Sequence, residues 1–210
     1  MSDISPLTEA LIQGNSGKLL PLVNEALDSG RQASEILNSD LIAGMDLIGN
    51  KMASGEMFIP EVLMAARTMN QAVEVLKPHL AEGNYTSAGK IVLGTVKGDL
   101  HDIGKNLVRI MLESSGFEVI DLGVDVAPEA FVEAVQKNKP DLVGLSALLT
   151  TTLPNIKNTI ESINSFCERS NLKIIVGGAP VTQAFADEIG ADGYAPDAGS
   201  ASKLVKSCVS

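Results

Sequence analysis

Asp99 stands two residues before His101 in the segment Gly98-Asp99-Leu100-His101-Asp102-Ile103-Gly104-Lys105-Asn106. A neutral imidazole is the commonest protein ligand for a transition metal, and a carboxylate on its second nitrogen fixes the tautomer and raises basicity. Asp99 and His101 therefore have the composition of a metal ligand with its orienting partner. The segment follows an apolar run, Ile91-Val92-Leu93-Gly94-Thr95-Val96, and precedes a helix-like stretch over 107–115. His101 thus sits on the loop leaving a buried strand, which is where open α/β sheets bind ligands. A two-metal phosphohydrolase is the rival chemistry for His101-Asp102. It needs more histidines, and the second histidine of the chain, His79, follows Pro78 and reads as a solvated helix-end residue.

The elements that must position these groups fall into two halves. Residues 1–82 read as helix throughout. Ser5-Pro6 is a cap with proline at the first helical position, and Ser16 reads as a second cap, weakened by Pro21, which places the true start later. Leu19, Leu20, Val23 and Leu27 recur at helical spacing up to Gly30, a C-terminal stop. A third amphipathic stretch runs from about Ser39 to Ser54. A fourth opens at Phe58-Ile59-Pro60-Glu61 and bends or ends at Pro78. Four helices with short connections imply a small bundle. Residues 83–89 are polar and glycine-bearing and read as a linker.

From 90 to 210 short apolar strands alternate with amphipathic helices, the pattern of a doubly wound parallel sheet. Strands are predicted at 90–96, 117–122, 141–146, 172–177 and 192–195. Helices are predicted near 104–115, 128–138, 153–168, 180–189 and 198–207, with Pro128 and Pro180 at two starts. Five strands suggest the flavodoxin-like order 2-1-3-4-5. That order makes strands 1, 3 and 4 neighbours. It brings the His101 loop beside Leu145-Ser146-Ala147-Leu148-Leu149-Thr150-Thr151-Thr152 and Val176-Gly177-Gly178-Ala179-Pro180.

Composition narrows the function. Hydrophobic residues make up 45% and charged residues 20%, enough apolar content to bury a core. The net charge of −10 argues against nucleic acid and reads most simply as solubility. Aromatics are 3% with no Trp, so stacking platforms for bases or sugars are scarce. No apolar run reaches the roughly 20 residues of a membrane span, and Met1-Ser2-Asp3-Ile4-Ser5 lacks the start of a signal peptide. Cys167 and Cys208 have no metal or disulfide spacing and are expected as free thiols in a reducing cytoplasm.

Asp99-x-His101-x-x-Gly104, then Ser146 with Thr150, then Gly177-Gly178, resembles the signature of cobalamin-binding domains of the base-off, histidine-on type. Gly44-Met45-Asp46-Leu47-Ile48-Gly49 and Gly55-Glu56-Met57-Phe58-Ile59-Pro60-Glu61 resemble the helical cap of the methyl-carrying members. The resemblance spans nearly the whole chain and is closest to corrinoid proteins of methyltransferase systems. It implies that His101 binds cobalt from below, that Asp99 fixes the imidazole, and that Ser146 continues the relay. In the family, cob(I)alamin binds no lower ligand and methyl-cob(III)alamin does, so the resemblance implies that proton uptake or release along the His–Asp–Ser chain can tune that switch. The resemblance also implies that Asp102, Ile103, Gly104, Ser146, Leu148, Thr150, Gly177, Gly178, Ala179 and Tyr194 contact the cofactor, with small residues leaving a slot for its nucleotide tail. The helical half would cover the upper face.

Plainer readings stand beside these. Ser146 and Thr150 could cap the following helix, Asp102 could be a solvated charge or a cap, and Gly177-Gly178 could be a turn. Met45, Met52, Met57, Met64 and Met69 are core residues by default, with some lining the cap surface. Asp197, like Tyr194, follows or lies in the short last strand and could reach the tail pocket. The expected function is a methyl carrier. It would take its methyl group from a substrate-specific methyltransferase and yield it to a second one acting on tetrahydrofolate or coenzyme M, with a corrinoid-reactivating protein as a further partner. A cobalamin-dependent regulator is the alternative, but the N-terminal helices offer no basic recognition helix. A mutase subunit leaves the helical cap unexplained. A phospho-acceptor domain would end strand 3 in an aspartate, where this chain has Leu145-Ser146.

Overall fold

The computed structural model describes residues 4–80 and 87–209. The chain divides into two compact units, Met1–Ser87 with Ser114–Gly116, and Ala88–Glu113 with Phe117–Ser210. Residues 83–86 of the expected linker lie outside the described residues.

The first unit is helical. Helix α1 (Pro6–Ile12) begins as its sequence directs: the Thr8 amide donates to the Ser5 hydroxyl at 3.1 Å and Pro6 occupies the first turn. Helix α2 (Ser16–Asp28) is capped one residue earlier than expected, by Asn15, whose side chain accepts from the Lys18 amide. Pro21 lies inside α2 and does not delay its start. Gly30, at φ +90°, closes the helix: its amide donates to Leu27 and that of Arg31 to Ala26.

The third helical run starts earlier than predicted. It comprises α3 (Ala33–Glu35), a π-helical segment (Ile36–Ile42) and α4 (Ala43–Ala53). The wide turn centres on Asp40, which is buried. Its carboxylate takes bonds from Ser5 and Arg31, and its carbonyl takes one from the Thr8 hydroxyl at 2.9 Å. These tertiary bonds compete with the regular ladder, and apolar periodicity carries no sign of them. Helix α5 (Ile59–Leu76) opens with the Phe58 amide donating to Glu61 at 2.8 Å, then passes into a 3-10 turn (Lys77–His79) at Pro78. Leu11, Leu19, Val23, Met45, Ile48, Met69 and Leu76 form the core, while Phe58, Ile59, Leu63 and Met64 are exposed. Gly44 lets α4 approach α1, since a Cβ there would lie 2.9 Å from Leu11.

The second unit alternates β1 (Lys90–Thr95), α6 (Ile103–Ser114), β2 (Glu118–Asp121), α7 (Pro128–Asn138), β3 (Leu142–Ser146), α8 (Leu153–Phe166), β4 (Lys173–Gly177), α9 (Gln183–Glu188), β5 (Gly193–Ala195) and α10 (Ala198–Val209). The sheet is parallel in the order β2-β1-β3-β4-β5, as the flavodoxin-like reading predicts. Side-chain alternation feeds two cores: Val92, Val143 and Ile174 pack with Phe131 and Ile160 on one face, and Ile91, Leu142 and Ile175 with Leu112 and Val205 on the other. Helix α9 departs from expectation. It starts after the Thr182 cap, while Pro180 sits in a turn closed by the Val181 amide and the Gly178 carbonyl at 2.9 Å. Among the described residues, no helix is long and apolar enough to cross a membrane.

Register places the site. Thr95, Ser146, Gly177 and Ala195 are successive cross-strand partners. The loops that follow β1, β3, β4 and β5 therefore leave the sheet side by side.

Candidate functional site

His101 Nδ1 lies 2.8 Å from Asp99 Oδ1, and the His101 amide donates to the same oxygen at 3.1 Å. Asp99 is fully buried, whereas the His101 side chain is 50% exposed. The second carboxylate oxygen is met from the β3 loop. It accepts from the Leu148 amide at 2.7 Å, the Leu149 amide at 3.2 Å and the Thr152 hydroxyl at 2.8 Å. Burial alone would raise the Asp99 pKa. The Leu148 amide, the Thr152 hydroxyl and the amide and ring of His101 outweigh it and hold the carboxyl well below the usual carboxylate range. An ionised Asp99 only accepts, so the proton it shares belongs to Nδ1, and in the neutral ring that leaves the lone pair on Nε2. That is the electronic requirement of a metal-binding imidazole.

The backbone of the loop is anchored too. The Thr95 hydroxyl, wholly buried at the end of β1, donates to the His101 carbonyl at 2.9 Å. Asn155, on α8, donates to the Lys97 carbonyl at 2.7 Å.

Residues expected at the site take different places. Asp99, His101 and the Leu148 amide come together as described. Thr152, absent from the expected set, bonds the Asp99 carboxylate where Ser146 was expected, and Ser146 is not among the groups that bind it. Ser146 ends β3, with its carbonyl accepting from the Val96 amide. Thr150 is exposed. Asp102 accepts from Asn106 through both its side chain and its carbonyl, a helix-end role. Leu100 and Ile103 are 71% and 78% exposed, and Leu148 and Leu149 are also exposed, so the segments that carry His101 and hold Asp99 present apolar side chains to solvent. Tyr194 is half-buried against the Phe131 core, and Ala179 is exposed. Both Asp197 oxygens bind Ser200 at the start of α10. Cys167 and Cys208 are free, and burial pushes the Cys167 thiol pKa up, away from reactivity.

The glycines separate into two kinds. A Cβ on Gly178, which has φ +125°, would lie 1.8 Å from the Ala147 carbonyl oxygen, and one on Gly177 would lie 3.0 Å from that of Ala195. The protein's own backbone demands those two. Gly104 has no such neighbour: a Cβ there would meet nothing within 4 Å. It stands in the first turn of α6, one helical turn beyond His101. An exposed Gly104 with room around it, three residues after a half-exposed imidazole and next to exposed apolar side chains in the sequence, fits a large flat metal complex that approaches the backbone closely.

A family model described as a B12 binding domain matches residues 89–202, and a second of the same description matches 4–77. The chain belongs to the B12-binding corrinoid proteins. Cobalamin is accordingly its cofactor. A corrinoid protein of Desulfitobacterium hafniense strain Y51 is 41% identical over 207 residues, 97% of this chain and 96% of that one. Dimethylamine corrinoid protein 1 of Methanosarcina acetivorans is 50% identical over 169 residues, 80% of this chain and 79% of that one. The crystal structure of the methanol:cobalamin methyltransferase complex of Methanosarcina barkeri superposes with a TM-score of 0.84 at 29% identity, covering 98% of this chain and 79% of that one.

Proposed function

We propose that this corrinoid protein carries a methyl group from a substrate-specific methyltransferase to a second methyltransferase, with His101 as the lower ligand of the cofactor. When bound, cobalamin supplies a cobalt centre that takes up and yields the methyl group. The chain's own residues prepare the place for it. His101 presents Nε2; Asp99 holds the proton at Nδ1; Thr152 and the Leu148 and Leu149 amides hold Asp99. Leu100, Ile103, Leu148 and Leu149 are exposed apolar side chains of the same loops that a bound cofactor would cover. Asp102, Ile103, Gly104, Ser146, Leu148, Thr150, Gly177, Gly178, Ala179 and Tyr194 would contact the cofactor, the small residues leaving a slot for its nucleotide tail. The donor is of the small methylated amine or alcohol class named in the relatives, and the acceptor is tetrahydrofolate or coenzyme M. A corrinoid-reactivating protein completes the set, and the cytoplasm is the compartment.

The observation that carries this reading is the half-exposed imidazole locked to a buried, ionised carboxylate beside an open Gly104. The test mixes apo-protein with hydroxocobalamin, desalts it and records absorption spectra for wild type and His101→Ala. Near-stoichiometric retention with a spectrum altered in the variant is expected. Folded wild-type protein that retains no corrinoid would sink the reading. Loaded protein is then offered an isotopically labelled methyl donor with its methyltransferase; label on the corrinoid protein supports the carrier role, and unlabelled protein that binds DNA supports a regulator instead.

A further inference from the structure

The loop that presents His101 is gripped by a residue from a different loop, outside the signature segments. Asp125 lies between β2 and α7. Its side-chain Oδ1 accepts from the Gly98 amide at 2.7 Å, and its own amide donates to the Asp99 carbonyl at 2.9 Å. These two bonds bracket the peptide unit that joins Gly98 to Asp99. Asp125 makes them in a left-handed conformation, φ +53°, one of two non-glycine residues with positive φ among those described. Aspartate and asparagine tolerate that region far better than other side chains. Gly98 is itself at φ +81°, so the segment before Asp99 is bent and needs an external hold. The remaining ties of the loop come from elsewhere: the Asp99 amide to the Val96 carbonyl at 3.1 Å, Asn155 to Lys97, and Thr95 to the His101 carbonyl. Asp125 holds Asp99 at its main-chain carbonyl, as Val96 holds its amide and Thr152 and the β3-loop amides hold its side chain.

We infer that Asp125 is a positioning residue for the lower-ligand pair: by clamping the Gly98–Asp99 peptide it sets the direction in which His101 presents Nε2. This rests on the reading of His101 given above. A clamp of this kind acts through another residue, so its loss misaligns the imidazole without removing a ligand. Groups beyond the first ligand typically change metal affinity by about tenfold to a hundredfold when removed.

Asp125→Gly isolates the carboxylate, because glycine keeps the left-handed backbone without strain. Asp125→Asn keeps both the backbone conformation and a side-chain acceptor. Two readouts are taken. In protein loaded with hydroxocobalamin, the absorption spectrum gives the fraction of histidine-coordinated corrinoid, and titration gives the dissociation constant. In apo-protein, amide hydrogen exchange at Gly98 reports the clamp directly. Asp125→Gly is expected to weaken corrinoid binding by about tenfold, lower the histidine-coordinated fraction and speed Gly98 exchange about tenfold. Asp125→Asn is expected to restore all three. Wild-type coordination and affinity in a folded Asp125→Gly protein overturns the inference, and so does an Asp125→Asn protein as defective as Asp125→Gly. The exchange arm needs no corrinoid. If wild type itself showed no histidine coordination, the proposed function would fall, while unchanged Gly98 exchange in Asp125→Gly would overturn the clamp on separate grounds.

Discussion

Replacing Thr152 by valine removes the hydroxyl that reaches Asp99 and keeps almost the same volume. The hydroxyl has one proton and two acceptors at 2.8 Å, Asp99 Oδ2 and the Leu149 carbonyl; the ionised carboxylate is the stronger. A hydrogen bond to a charged group contributes about 1.5–3 kcal/mol net. The Leu148 and Leu149 amides still serve the same oxygen in the variant, so the loss belongs at the lower end, about 1.5 kcal/mol. The pH dependence follows from the depressed pKa. A carboxylate held below its unfolded value stabilises the fold above that value and loses this stabilisation as pH falls through its folded value. Thr152→Val raises the folded value towards normal. The difference between Thr152→Val and Thr152→Ser is therefore expected at full size from neutral pH down to about pH 4, shrinking only below it. Urea unfolding of apo-protein across that range measures it. A difference below about 0.5 kcal/mol at pH 7, or one that persists unchanged in strong acid, would show that Thr152 does not bear on the carboxylate charge.

Two further outcomes test the packing argument. Gly178→Ala forces a Cβ to 1.8 Å from the Ala147 oxygen and is expected to yield little folded protein. Gly104→Ala, with open space and a helical position, is expected to leave apo-protein as stable as wild type or up to about 1 kcal/mol more so, yet to weaken corrinoid retention; thermal melts and the desalting assay separate the two. Lys105, its side chain 1% exposed, binds both Asp121 oxygens at 2.6 and 2.7 Å and holds that carboxyl below its ordinary pKa against the effect of burial. Lys105→Met is expected to cost on the order of 3 kcal/mol in urea unfolding by removing the cation nearest Asp121, which keeps the Gly123 amide at 2.9 Å and Arg109 at 3.8 Å, with much of that recovered in Lys105→Met/Asp121→Leu.

What could be read from the sequence depended on how local the cause was. Strands such as 90–96 and 172–177 are short β-branched runs closed by glycine or polar residues, and β1 and β4 end within a residue of those bounds. The sheet order followed from five strands alternating with helices, and it brought the loops with unusual residues together. The π-helical segment over Ile36–Ile42 was not legible: the buried Asp40 within it bonds to Ser5 and Thr8, 35 and 32 residues away, and to Arg31, and apolar spacing carries no sign of such contacts. Pro180 looked like a helix start because proline suits both a first turn and a β-turn, and the Thr182 cap decided between them. Within the site, Asp99 and His101 were legible from their spacing. Thr152 was not chosen, although a hydroxyl immediately before Leu153-Pro154 was the available signal: it sits at the start of α8, where side chain and loop amides turn together toward an anion. Asp125 carried no signal beyond its type.

The tethers of Asp99 span a long stretch of chain: its carboxylate is held by amides and a hydroxyl 49 to 53 residues downstream. During synthesis His101 leaves the ribosome well before the groups that aim it. Until β3 has docked on β1, the imidazole lacks the held carboxylate that orients it, and non-local pairings of this kind form late because loop closure precedes their reward. Competence to take up a corrinoid therefore arrives with completion of the sheet's centre. A nascent or partly unfolded chain has little means of capturing the metal complex prematurely, and the cofactor, by selecting the finished arrangement, stabilises the sheet that made it.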